Sequence, residues 1–226
     1  MKPMNDCVFL VDVDNTLLDN DRIQAELRQH LELTYGAACR DRYALFLQQL
    51  SDTLGYRDYL GALQRYRNEH PLHVELLAMS AWLLDYPFAQ RLHRGALPLL
   101  AHLRHAGPVV VLSDGDVVFQ PHKVLRAGIA AAVDDVLIYI HKEQALDDVQ
   151  RRHPARHYVL IDDKPHILAA VKRQWQQRVT TILPRQGHYA LDPVALAEAP
   201  PPDLQIEHIG ELLTHDAHSL ARRDPR

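Results

Sequence analysis

The sequence predicts an α/β protein: a parallel sheet covered by helices on both faces, with a helical block inserted after the first strand. Three observations carry this. Short apolar runs at 8–11, 109–112, 136–140, 158–161 and 179–183 are near-continuous, and from 95 onward amphipathic stretches separate them. Strands buried on both faces read in this way, and the intervening helices supply the crossovers that parallel pairing requires. Between 18 and 92 the apolar spacing is helical throughout. Finally, the first four runs stop at polar or charged residues, which a parallel sheet gathers along one edge.

The opening run, Val8-Phe9-Leu10-Val11, ends in Asp12-Val13-Asp14-Asn15-Thr16. Residues two apart in an extended chain project to the same side, so both carboxylates are expected at the carboxyl end of the strand. At about 4 Å and an effective dielectric near 20 they would repel by roughly 4 kcal/mol. A cation, or a function needing both acids, has to justify the pair.

Four helices are expected next. Ile23, Leu27 and Leu31 repeat at helical spacing behind an Asn20 cap and stop at Gly36; Tyr43, Phe46, Leu47, Leu50 and Leu54 form a second stripe ended by Gly55. Tyr59, Leu60, Leu63 and Tyr66 give a third, and Leu76, Met79, Trp82 and Leu83 place a fourth over 72–84. The aromatic residues of this block (Tyr43, Phe46, Tyr59, Tyr66, Trp82) are read as packing rather than as a base-stacking surface.

The rhythm then changes. Ala96, Leu97, Leu100 and Leu103 mark a helix that stops at Gly107, before a strand at 108–112. A short helix is expected over 121–128, a strand over 136–140, a helix over 143–151 and a strand over 158–161. A helix from Pro165 to Trp175 and a strand over 179–183 follow, and Pro200-Pro201-Pro202 punctuates a loop before a last strand at 204–206. Residues 221–226 read as a loose tail. The core is thus assigned to 1–17 and 93–226, the insertion to 18–92, and no internal repeat is evident.

Composition narrows the function. The net charge of −4 offers no basic surplus to displace counterions from phosphates, against a nucleic-acid partner. No apolar run approaches a membrane span, and residues 1–6 carry no signal-peptide pattern, so a cytoplasmic protein is expected. Cys7 and Cys39 lack metal or redox spacing and suit a reducing compartment. The fifteen histidines are scattered, and the closest helical pair, His153 and His157, has Pro154 between; they read as solvated surface residues rather than a second metal site.

The strand ends carry the chemistry. The first closes on Asp12 and Asp14, the second on Ser113-Asp114-Gly115-Asp116, the third on His141-Lys142 and the fourth on Asp162-Asp163. One acid pair is weak, because Asp often caps a following helix; four such ends in succession are not explained by capping. In order and spacing they resemble the four motifs of the haloacid dehalogenase-like (HAD) hydrolase superfamily, over the whole core, with the helical insertion matching that family's cap. The resemblance implies a three-layer, Rossmann-like core and aspartate-based hydrolysis.

It also implies roles. Asp12 would be the nucleophile, forming an aspartyl-phosphate, and Asp14 the general acid and base. Mg²⁺ would be held by Asp12, the Asp14 backbone carbonyl and Asp162, with Asp163 binding or orienting it. Ser113 and Lys142 would hold the phosphoryl oxygens, with Asp114 and Thr16 beside them and Thr16 bracing the nucleophile loop. Asp114 and Asp116 also suit turn and capping roles, and Lys123 is a rival lysine away from any strand end. Many relatives carry a further acid where this chain has His166 and Ile167, which leaves the part of Asp163 open.

The dehalogenase branch lacks the second acid, so Asp14 favours phosphate-ester hydrolysis. The expected activity is that of a Mg²⁺-dependent phosphatase on a small phosphorylated metabolite, with transfer to another acceptor (a mutase) or a non-catalytic regulatory protein as alternatives. The loop at 185–189 follows the fifth strand on the same edge and is read as a polar turn, with contact to substrate as the alternative. Substrate and oligomeric state are not legible.

Overall fold

The structure, a computed structural model, describes residues 4–72 and 76–221. The start of the fourth expected helix, at 73–75, and the tail at 222–226 lie outside the described residues. Strand β1 (Asn5–Val11) is followed by helices α1 (Asn20–Tyr35), α2 (Ala37–Leu54), α3 (Tyr59–Glu69) and α4 (Leu76–Asp85). Next come α5 (Ala96–Leu103), β2 (Val109–Asp114), α6 (Phe119–Arg126), α7 (Ile129–Ala132), β3 (Asp135–Tyr139), α8 (Leu146–Arg152) and β4 (Ala155–Ile161). The chain ends with α9 (Pro165–Trp175), β5 (Val179–Pro184), α10 (Gly187–Leu191), α11 (Pro193–Glu198), β6 (Leu204–Ile206) and α12 (Ala217–Ala221).

The strands form one sheet in the order β3-β2-β1-β4-β5-β6, every pairing parallel. Alternate residues of each strand feed opposite layers. Phe9, Val11, Val109, Val111, Val159 and Ile161 enter one apolar cluster, and Val8, Leu10, Val110, Leu112, Tyr158 and Leu160 the other. The expected three-layer, Rossmann-like core is therefore observed. Among the described residues no helix is long and apolar enough to cross a membrane.

The helical insertion packs into the first cluster. Ile23, Leu27, Leu31, Tyr43, Phe46 and Tyr59 join the same apolar body as the strand residues. An aromatic chain crosses the junction: the Tyr59 ring lies 5.1 Å from Phe119 on α6, which lies 5.8 Å from Phe88. Trp82 stacks on His30 at 4.8 Å, and Tyr43, Phe46, Tyr59 and Tyr66 are buried, so packing is what these aromatics do. Gly55 ends α2 in the left-handed conformation (φ 81°), which its lack of a Cβ permits. A Cβ there would stand 2.3 Å from His141 Cε1, so the tip of α2 rests directly on the residue before Lys142.

Several boundaries differ from the sequence reading. The cap of α1 is Asp19, which accepts a hydrogen bond from Arg22 N; Asn20 is the first helical residue and is buried. Helix α6 begins two residues before the expected Pro121, because Asp116 accepts from Val118 N and Phe119 N and starts the turn early. The expected helix over 143–151 is split into a 3₁₀ turn at Lys142–Gln144 and α8. Several histidines are structural rather than solvated: His153 is buried and 2.8 Å from Asp135 Oδ2, His102 Nε2 is 2.8 Å from His215 O, and His122 Nε2 is 2.6 Å from Leu84 O. Both cysteines are free and buried, and burial, then Asp6, pushes the Cys7 thiol up to about 12.

Glu26 on α1 ties the insertion to the returning segment through Tyr86 Oη and through Arg91 Nη2 at 2.9 Å. Burial raises the Glu26 carboxyl, but hydrogen bonds from Tyr86, Arg91 and Arg22 outweigh it and draw it from 4.5 down to about 2. A carboxyl depressed in the fold stabilises it above its unfolded pKa, and that contribution is lost as pH falls toward the folded value. Stability measured by denaturant between pH 5 and pH 2 is expected to fall less steeply in Glu26→Gln than in the parent (about pH 5 to 2 being the window set by the two pKa values).

Candidate active site

The sheet register assembles the site. Val11 pairs with Val111 on one side and Ile161 on the other, and Asp12 N donates to Ile161 O at 2.9 Å. Asp12 and Asp162, 150 residues apart in sequence, thereby leave adjacent strands side by side at the carboxyl edge. This is the crevice where the strand order reverses around β1, the usual ligand position in such sheets.

Lys142 lies at the centre. It is fully buried; its Nζ donates to Asp12 Oδ1 at 2.6 Å and stands 2.5 Å from Asp162 Oδ2. Burial pulls its ammonium toward neutrality, but Asp12, Asp162 and Asp114 outweigh that and hold it well above the ordinary lysine value. The carboxylate of Asp114 accepts from Lys142 N at 2.7 Å, so this acid fixes the lysine's backbone.

Asp12, Asp162 and Asp163 are all buried, with an oxygen from each within 4.8 Å of the others. Burial raises Asp162, against the pull of Lys142, and raises Asp163 well above the carboxylate range, with Asp162 and Asp12 adding to it. Asp162 Oδ1 accepts from Lys164 N at 2.9 Å, a capping contact. Asp12 Oδ2 and both oxygens of Asp163, by contrast, are buried with no hydrogen-bond partner. Unpartnered buried carboxylate oxygens are costly, and three of them converging make an all-oxygen donor set that fits a hard divalent cation.

Asp14 stands apart from this cluster. Strand β1 stops at Val11, so neither acid lies in the extended chain and they do not share one face as strand geometry predicts. A tight turn follows, in which Leu17 N and Leu18 N both donate to Val13 O. Asp14 is met by Lys123 instead: Nζ lies 2.7 Å from Oδ1 and 3.0 Å from Oδ2, and 3.3 Å from Asn20 Oδ1. The repulsion expected between the two acids is thus answered by two buried lysines, one for each.

Ser113 is buried, and its Oγ accepts from Gln120 Nε2 at 3.1 Å; the same amide reaches Asp14 Oδ2 at 3.4 Å. Thr16 is buried with an unpartnered hydroxyl, so the loop after Asp12 is not braced through Thr16 Oγ1. Gln186 braces it: Nε2 donates to Asn15 O and Thr16 O, both at 3.1 Å, while Oε1 accepts from Ile209 N at 2.5 Å. The loop read as a polar turn therefore holds the acids in place.

Gln120 and Lys164 were not singled out by sequence reasoning, Lys123 was weighed only as a rival lysine, and Gln186 only as part of the loop at 185–189. The signal for two of them was present: Gln120 and Lys123 fall three apart on a short helix, on one face together with Phe119 and Val124. Gln186 and Lys164 had no such pattern.

Among solved structures, a HAD-like hydrolase from Burkholderia xenovorans LB400 is 53% identical, with a TM-score of 0.88, over 98% of this chain and 100% of that one. The chain belongs to the haloacid dehalogenase-like hydrolases. The HAD hydrolase YfnB of Bacillus subtilis, bound to magnesium, shares the fold at 14% identity (TM-score 0.63, covering 93% of this chain and 98% of that one). The L-2-haloacid dehalogenase of Xanthobacter autotrophicus does so at 16% (TM-score 0.58, 94% and 99%). No family model and no curated protein matches the chain.

Replacing Gln186 by leucine removes three hydrogen bonds that join the loop after Asp12 to the last strand region. Each buried polar group left unpaired costs about 1–3 kcal/mol, so urea denaturation of Gln186→Leu is expected to show a loss of at least about 2 kcal/mol.

Proposed function

We propose that this HAD-like hydrolase is a Mg²⁺-dependent phosphatase acting on a small phosphorylated metabolite. The observation that carries the reading is Asp14, a second acid held by its own lysine and kept out of the cluster of Asp12, Asp162 and Asp163. Displacing a halide from carbon leaves such a group without a task, whereas an alkoxide leaving phosphorus needs a proton.

An oxygen of Asp12 attacks phosphorus, the phosphorus–ester bond breaks, and Asp14 gives its proton to the departing alkoxide. Asp14 then takes a proton from a water molecule, which attacks the aspartyl-phosphate and frees Asp12 and inorganic phosphate. Lys123 holds both carboxylate oxygens of Asp14 in place, and the proton that Asp14 gives up in the first half is regained from water in the second. Ser113 and Lys142 hold phosphoryl oxygens, and Asp114 acts by fixing Lys142. Asp12, Asp162 and Asp163, with the Asp14 carbonyl, would hold Mg²⁺, which supplies positive charge to the phosphoryl oxygens. Residues 18–92 would act as a cap that excludes water and selects the substrate.

Asp12→Asn is expected to abolish Mg²⁺-supported hydrolysis of p-nitrophenyl phosphate with an unchanged circular dichroism spectrum. Full activity in that variant, or equal activity in a chelator, would sink the reading. Asp14→Asn separates the second role by leaving group: an alkyl phosphate should lose about 10²–10⁴ in rate, the usual range for general acid catalysis, and p-nitrophenyl phosphate, whose leaving group departs without a proton, markedly less.

A further inference from the structure

A narrow cleft of about 60 Å³ runs from Asp14, Asp163 and Lys164 up to the turn between α2 and α3. It is lined by Asp14 and not by Asp12, Ser113 or Lys142, so it lies beside the phosphoryl position, on the side of the acid that serves the leaving group. Whatever the phosphoryl group is attached to must continue outward. Arg57, Gln24 and His188 line this cleft and also an open groove of about 760 Å³ along α1 and the start of α2. They stand at the joint between the two spaces.

Of these three, Arg57 carries the unpaired charge. It is half-buried and makes no ion pair or side-chain hydrogen bond among the described residues. The neighbouring charges are committed elsewhere: Asp58 accepts from Gly61 N and caps α3, Asp21 pairs with His188 at 2.7 Å, and Arg40 in the outer groove is held by Glu32 and Asp41. A half-buried guanidinium normally finds a carboxylate, because its planar fork of donors is poorly satisfied without one. One unpaired cation therefore faces the space just beyond the phosphoryl position.

We infer that Arg57 recognises a second anionic group of the substrate, a carboxylate or a second phosphoryl group a few bonds from the scissile phosphate. The inference rests on the phosphatase reading and narrows its substrate class to phosphate monoesters bearing another anion. Sugars and alcohols whose only charge is the phosphate would leave Arg57 uncompensated in the cleft, so they bind more weakly.

The test is calorimetric binding to Asp12→Asn protein in Mg²⁺, which needs no turnover. Glycerol 3-phosphate is the reference; 3-phosphoglycerate adds a carboxylate and glycerol 1,3-bisphosphate a second phosphoryl group, so the two sources are read separately. A charge-assisted contact of this kind corresponds to about tenfold or more in affinity. The expected result is that one dianionic probe binds at least about tenfold tighter than the reference, that Arg57→Ala in the same background erases the difference, and that Arg57→Lys keeps part of it. Equal binding of all three probes, no binding of any, or a preference that survives Arg57→Ala overturns the inference. Failure of the Asp12-intact protein to hydrolyse a probe bound with this preference would instead strike the phosphatase reading and leave the role of Arg57 standing.

Discussion

The contact on which the rest of the site depends is the buried ammonium of Lys142 between Asp12 and Asp162. Three fully buried carboxylates in one place are not tolerated unless something cationic faces them. Lys142 meets two of the three, and its own backbone is fixed by Asp114, so the lysine's position is set before any ligand arrives. What it leaves unmet, Asp12 Oδ2 and the whole of Asp163, defines where further positive charge is needed. The same balance is struck a few ångströms of chain later, where Lys123 meets Asp14. Charge at this sheet edge is thus divided into two compartments, each with its own lysine.

That division explains how two acids two residues apart in sequence come to face different partners. Hydrogen bonds to Val13 O bend the chain directly after Asp12, turning Asp14 toward α6 instead of along the strand. Gln186, reaching across from the end of β5, keeps the bend from relaxing. The insertion contributes from the opposite side, since Asn20 at the start of α1 shares Lys123 with Asp14. The position of Asp14 is therefore a joint product of the core, the insertion and the closing loop.

The sheet was legible because its strands are buried on both faces and so carry unbroken apolar runs; α9 was placed residue for residue because Pro165 opens it and Trp175 closes its buried stripe. The acid, serine and lysine positions were legible from their place at successive strand ends. Lys123 was weighed and set aside because it sits on a helix, and only the tertiary fold shows that helix turning its polar face to Asp14. Asn20 was taken for the cap because either Asp19 or Asn20 can play that part, and the choice depends on where the preceding turn ends. Gln186 was invisible for a different reason: an amide bridging two carbonyls and a distant amide has no local spacing to betray it.

The left-handed glycine at the end of α2 has a mechanical meaning. Its bare Cα is the bearing on which the insertion rests against His141, and His141 is covalently next to the lysine that holds Asp12. Any swing of the insertion away from the core must unload that bearing, and any approach must load it, so the spacing of the cleft roof is gauged against the residue beside Lys142. A side chain at position 55 would act as a shim between the two bodies, holding the roof off the charge cluster without touching a single reacting atom.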